Sequence, residues 1–160
     1  MLRSTPLALA AVVALAGLPA AWAADTSSDP PPAREAADPL AAARAELAAK
    51  RWAGAVEALK KADRPASADW NNLMGYALRK KNPPDLEGAQ RHYDAALRID
   101  PRHLGALEYS GELALMKGDL ATAEGRLATL VGLCNPPCEA REDLDRAVKK
   151  FKANGNRWTP

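Results

Sequence analysis

WAGAVEALKKA (residues 52–62), LEGAQRHYDAA (86–96) and LATAEGRLATL (120–130) begin 34 residues apart, and their small and large side chains fall in the same order. Aligned, they put Trp52, Leu86 and Leu120 in one column and Ala55, Ala89 and Ala123 in the next. Leu59, Tyr93 and Leu127 follow, then Ala62, Ala96 and Leu130. Steps of three and four residues keep all four columns on one face of an α-helix, so one helix face is written three times. Such a unit cannot bury its apolar face alone, which makes the stacking of neighbouring units the organising physics.

A second type of helix lies between the copies. Met74, Gly75 and Leu78 correspond to Ser110, Gly111 and Ala114 at a spacing of 36, and Pro83 and Pro84 supply the two extra residues in a turn. Gly75, Ala89, Gly111 and Ala123 are the positions where backbones are expected to meet, because helices approach closely only over short side chains. A glycine inside a helix costs about 1 kcal/mol relative to alanine, so close packing must offset it.

These residues resemble the tetratricopeptide repeat family. Met74-Gly75-Tyr76-Ala77-Leu78, Leu86-Glu87-Gly88-Ala89, Tyr93, Ala96-Leu97 and Asp100-Pro101 look like one near-complete repeat. Leu107, Gly111, Ala114, Gly118-Asp119-Leu120, Ala123, Leu127 and Asn135-Pro136 look like a second, with Ser110 where the family usually has leucine and Leu130 where it usually has alanine. Lys50 to Ala62 matches only the second helix of a preceding repeat, so the likeness spans roughly residues 50–136. It implies an all-α, right-handed stack of antiparallel helix hairpins, an α-solenoid, in a small exported bacterial-type repeat protein. It also implies a peptide or protein partner held on the inward face of each repeat's first helix. Carried onto this chain, those positions are Asp69, Asn72, Tyr76 and Arg79, then Gly105, Glu108, Glu112 and Leu115, with Tyr109 beside them. Tyr76 and Tyr109 have the alternative of packing between helices.

Turn and cap residues set the helix limits. Leu40 to Ala49 and Arg51 to Ala62 read as helical, as one helix or as two broken near Lys50, until Asp63-Arg64-Pro65 stops the run. Ser67 caps a helix continuing to about Lys81, Asp85 begins one running to Ile99, and a fourth spans about Arg102 to Lys117. Asp119 accepts the free amides of the fifth, which closes before Cys134. The last runs from Glu139 to about Ala153, with Leu144, Val148 and Phe151 on one stripe as a terminal cap over the last repeat and Gly155 as a stop.

Met1 to Ala23 has a single positive charge at Arg3, an apolar run from Leu7 to Leu18 and a small-residue exit at Ala21-Trp22-Ala23. It reads as a secretory signal peptide cut before Ala24, too short to span a bilayer and interrupted by Gly17 and Pro19. Residues 24–39, with four prolines from Pro30 to Pro39, read as a disordered leader; residues 40–154 as the repeat domain; residues 155–160 as a flexible tail. The expected location is periplasmic or secreted, with no integral membrane segment after cleavage.

Formal net charge is +2, one unit less without Arg3, and gives no support for a nucleic-acid partner. Cys134 and Cys138, sent to an oxidising compartment, favour a disulfide that fixes the docking angle of the last helix. Redox activity and a metal site are the rival readings; the first usually has two residues between its cysteines, and His92 and His103 lie in separate segments. No phosphate loop, zinc-binding histidine pair, haem motif or nucleophile elbow occurs, so no cofactor is expected. The reading is a non-catalytic protein-interaction module. An accessory factor using Cys134 and Cys138, and a structural envelope subunit, are the alternatives.

Overall fold

Three helix starts carry the same device: an aspartate or serine accepts a hydrogen bond from the backbone amide three residues on. Ser67 Oγ accepts from Trp70 N at 3.2 Å, Asp85 Oδ1 from Gly88 N at 2.8 Å and Asp119 Oδ1 from Thr122 N at 3.0 Å. A computed structural model describes residues 38–159. Among these residues there are seven helices and no strand: α1 (Ala41–Ala48), α2 (Trp52–Ala62), α3 (Ala68–Lys80), α4 (Leu86–Ile99), α5 (Leu104–Met116), α6 (Leu120–Leu133) and α7 (Glu139–Ala153). The signal-peptide reading and residues 24–37 of the expected leader lie outside the described residues.

The run before Asp63 is two helices. Lys50 takes a positive φ of 56°, which reverses the chain between α1 and α2, and Arg51 grips Glu46 through two nitrogens at 2.8 and 2.9 Å across the turn. Asp63 adopts the left-handed conformation as α2 ends, and Gly118 does so at φ 81° between α5 and α6. The start of α5 departs from expectation. Its cap is His103, whose Nδ1 accepts from Ala106 N at 3.1 Å.

Each helix packs on the next, and the odd-numbered helices also touch one another: α1 with α3, α3 with α5, and α5 with α7. No equivalent contact joins α2 to α4 or α4 to α6 among the described residues, so the stack bends toward its odd-numbered side. The core is a series of three clusters. Leu40, Ala43, Val56, Leu59, Trp70 and Met74 belong to the first, Ala89, Tyr93 and Leu113 to the second, and Leu107, Leu115, Leu130, Leu144, Val148 and Phe151 to the third. Serial clusters are what stacked units produce, each sheltering its neighbour's apolar side.

Ala55, Ala89 and Ala123 are all 0% exposed, so the repeated alanine column is buried in every copy. The glycines work differently from expectation: side chains, not backbones, sit on them. A Cβ at Gly75 would lie 2.6 Å from Cε1 of Tyr93 on α4, and one at Gly111 would lie 2.6 Å from Cδ2 of Leu144 on α7. Both large side chains are fully buried.

α7 lies against α5 and α6, burying Ala140, Leu144, Val148 and Phe151. A disulfide joins Cys134 to Cys138 across the loop before it, their Cα atoms 5.5 Å apart. Arg141 Nη1 donates to the Cys134 carbonyl at 3.0 Å, a second tie over the same turn. The segment after α7, read as a flexible tail, folds back: Trp158 packs on the third cluster, and the Thr159 carbonyl and hydroxyl accept from Lys150 and Asn154. Asp38 and Pro39 likewise form the turn into α1, with Asp38 Oδ1 accepting from Leu40 N at 2.9 Å.

Gly75→Ala should lower stability by about 1–3 kcal/mol, because overpacking against buried Tyr93 outweighs the gain in helix propensity. Gly125→Ala, at an α6 position with nothing within 4 Å, should instead add up to about 1 kcal/mol. Urea unfolding of both variants compares the two signs. Replacing both Cys134 and Cys138 with serine should cost about 2 kcal/mol, the entropy of so short a closed loop, in the same measurement.

Candidate functional site

Because the odd-numbered helices approach one another, their facing side chains form one continuous wall. Arg79, in the last turn of α3, is only 4% exposed and crosses toward α5. Its Nη2 lies 2.6 Å from Oε2 of Glu112, off the direction of a hydrogen bond, so the contact is an ion pair. Nη1 reaches the Met116 sulfur at 3.8 Å, and the guanidinium lies 5.6 Å from the ring centres of both Tyr76 and Tyr109. Such packing suits a weakly hydrated planar cation. The buried Tyr93 hydroxyl lies near enough to feel the guanidinium but has no aligned partner; burial pushes its phenol well up.

Tyr76 meets the edge of Trp52 on α2 at 5.8 Å and the Tyr109 ring at 4.7 Å, and is half-buried. Both tyrosines therefore pack between helices while still contributing to the wall. Burial raises the phenols of each.

At the other end of the wall, Asp69 is exposed and joins three helices. Arg44 of α1 reaches it at 3.2 Å and His103 Nε2 at 2.9 Å. Since His103 Nδ1 accepts the Ala106 amide, Nε2 carries the proton donated to Asp69. Asn72 is buried against Gly105, with its Oδ1 lacking a hydrogen-bond partner. Leu115, expected on the binding face, is 0% exposed within the third cluster, because its stripe of α5 turns toward α6 and α7; it offers no surface to a partner.

Glu108 is the most perturbed acid. It is 8% exposed, has no hydrogen bond or ion pair, and faces Glu112 on its own helix and Asp143 and Glu139 on α7. Burial, then these carboxylates, push it up to about 8, with Arg79 acting in the opposite sense. Glu108 lines a cleft of about 310 Å³ between α5 and α7 with Leu104, Gly105, Tyr109, Cys138, Glu139, Ala140 and Asp143. Asp143 also borders a larger cleft of about 520 Å³, where Lys80, Lys81, Arg146 and Lys150 surround Met116, Ala147 and Trp158. The wall is therefore acidic toward the starts of α5 and α7 and basic toward the ends of α3 and α7. Sequence reasoning missed Asp143, Ala147 and Trp158 as wall residues, since only the docking of α7 brings them there.

Among the described residues no group of three His, Cys, Asp or Glu is arranged to hold a metal ion, and no helix is long and apolar enough to cross a membrane. No protein-family model matches the chain, and no curated protein is significantly similar to it.

Between about pH 5 and pH 8 folded Glu108 keeps a proton that the unfolded chain has lost, so its contribution to stability falls as pH rises and the penalty is complete above about pH 8. Glu108→Gln should leave stability near pH 5 almost unchanged and raise it by roughly 1–3 kcal/mol at pH 8.5. Thermal unfolding of the two proteins across that range measures the flattening.

Proposed function

We propose that this chain is a non-catalytic interaction module of the tetratricopeptide type, holding a peptide or protein segment against the wall formed by α3, α5 and α7. The observation that carries the reading is the pair of adjoining clefts on that wall, where cations, carboxylates, aromatic rings and apolar groups converge within one concave surface. Concave sites with an apolar floor and a few placed polar groups are where ligands bind. The side chains expected at the site divide into two roles. Arg79, Tyr76 and Asn72 hold the wall together from inside, while Lys80, Lys81, Arg146 and the edge of Trp158 offer themselves to a partner.

The same proposal extends to the ends of the stack. α7 is its closing element, a right-handed arrangement follows from the family resemblance, and the amino-terminal segment directs export to the periplasm or beyond. The Cys134–Cys138 bridge supports the closing role, because it ties the end of α6 to the start of α7.

A photo-crosslinking residue at position 81, on the wall, should trap a partner in cell-envelope extracts. The same residue at position 57, exposed on α2, should not. Equal capture from both positions, or capture from position 57 alone, rejects the wall as the binding face.

A further inference from the structure

The cleft around Glu108 poses a problem that the fold itself does not solve. Carboxylates near the start of a helix are ordinarily explained by the helix dipole, and Glu139, in the first turn of α7, fits that account. Glu108 does not. It lies beyond the first turn of α5, more than nine-tenths of the residue buried, with no protein donor bonded to its carboxyl and with Glu112, Asp143 and Glu139 facing it. Among the described residues Arg79 is the cation that acts on it most strongly, and that guanidinium is already committed to Glu112 and to two aromatic rings. Its surroundings hold this acid protonated below about pH 8, and a cation entering from outside would draw it into the carboxylate form.

The cleft suits such a visitor. Glu108 lines it with Glu139 and Asp143, so three carboxylates border one recess. Leu104, Ala140, the Tyr109 ring and the Cα of Gly105 supply apolar walls along which an alkyl stem can lie. The carboxylates do not converge closely enough to hold a metal ion, which favours an elongated organic cation with several donors. Asp143 is already bonded to Arg146 at 2.7 Å, leaving Glu108 and Glu139 as the acceptors to be filled.

We propose that this cleft receives a lysine or arginine side chain of the bound segment, with Glu108 as its principal acceptor. The proposal rests on the α3–α5–α7 wall being the binding face and adds the chemistry that selects the segment. The remainder of the segment then passes into the adjoining basic cleft, where Lys80 and Lys81 favour an acidic residue near the cation and Met116, Ala147 and Trp158 an apolar one. Opposite charges at opposite ends of one wall fix the direction in which the segment lies.

Selection of short random peptides displayed on phage against the purified chain tests this. Enriched peptides should carry lysine or arginine, and the affinity of the leading peptide should fall about tenfold or more with Glu108→Gln in the protein or with norleucine in place of the basic residue. The two changes together should cost little more than either alone, the mark of a direct contact. Enriched peptides without a basic residue, or with affinity indifferent to both changes, overturn the inference while leaving the wall as a binding face. If no peptide is enriched, the binding face itself is rejected and the inference falls with it.

Discussion

Everything in this molecule depends on large side chains of one helix seating on the glycines of another. Tyr93 lies over Gly75 and Leu144 over Gly111, each at a separation that leaves no room for a methyl group. Glycine in a helix interior costs about 1 kcal/mol, and the burial of a tyrosine or leucine recovers more than that. The arrangement also explains why no single helix pair is self-sufficient. Gly75 is filled from within its own pair, by α4, whereas Gly111 is filled from α7, beyond the pair that contains it. Removing a neighbour therefore opens a hole in the middle of a helix face, so the apolar clusters stand or fall with those beside them.

The same close approach creates the polar wall. Once α3, α5 and α7 touch, their inward side chains are forced together, and charges on them lose water whether or not they find partners. Arg79 finds them, in Glu112 and in the rings of Tyr76 and Tyr109, which offset part of its burial while Nε and Nη2 have no hydrogen-bond acceptor. Glu108 does not, and faces three other acids. The two residues end differently: Arg79 closes the joint between neighbouring helices, whereas Glu108 is held in its protonated form below about pH 8, with no bonded partner in its cleft. Strongly shifted acids gather at sites where a ligand completes the environment.

Much of the local structure was legible because its causes are local. Ser67, Asp85 and Asp119 cap helices through amides three residues away, and Asp100-Pro101 and Asn82-Pro83-Pro84 end them by backbone geometry alone. His103 escaped that reading because a histidine caps only in the tautomer whose Nδ1 is unprotonated, and Asp69, 34 residues earlier, is what holds that tautomer. Trp158 and Thr159 escaped it too. A short run after a helix stop has no periodicity to read, and their positions depend on Lys150, Asn154 and the cluster beneath α7.

The sequence by itself determined that the chain is helical, where α3, α4, α6 and α7 begin, where the helices from α2 onward end, which column of alanines is buried, and that two cysteines five positions inclusive apart flank the last turn. These follow from period, caps and breakers, which act over one or two turns of chain. The tertiary structure alone decided that Leu115 points into the core and not onto the wall, that Tyr93 and Leu144 and not backbones fill the glycine hollows, and that Glu108 is stranded among carboxylates from α5 and α7. Those outcomes depend on the rotation of one helix against the next, and a helical period fixes a face without fixing which neighbour that face will meet.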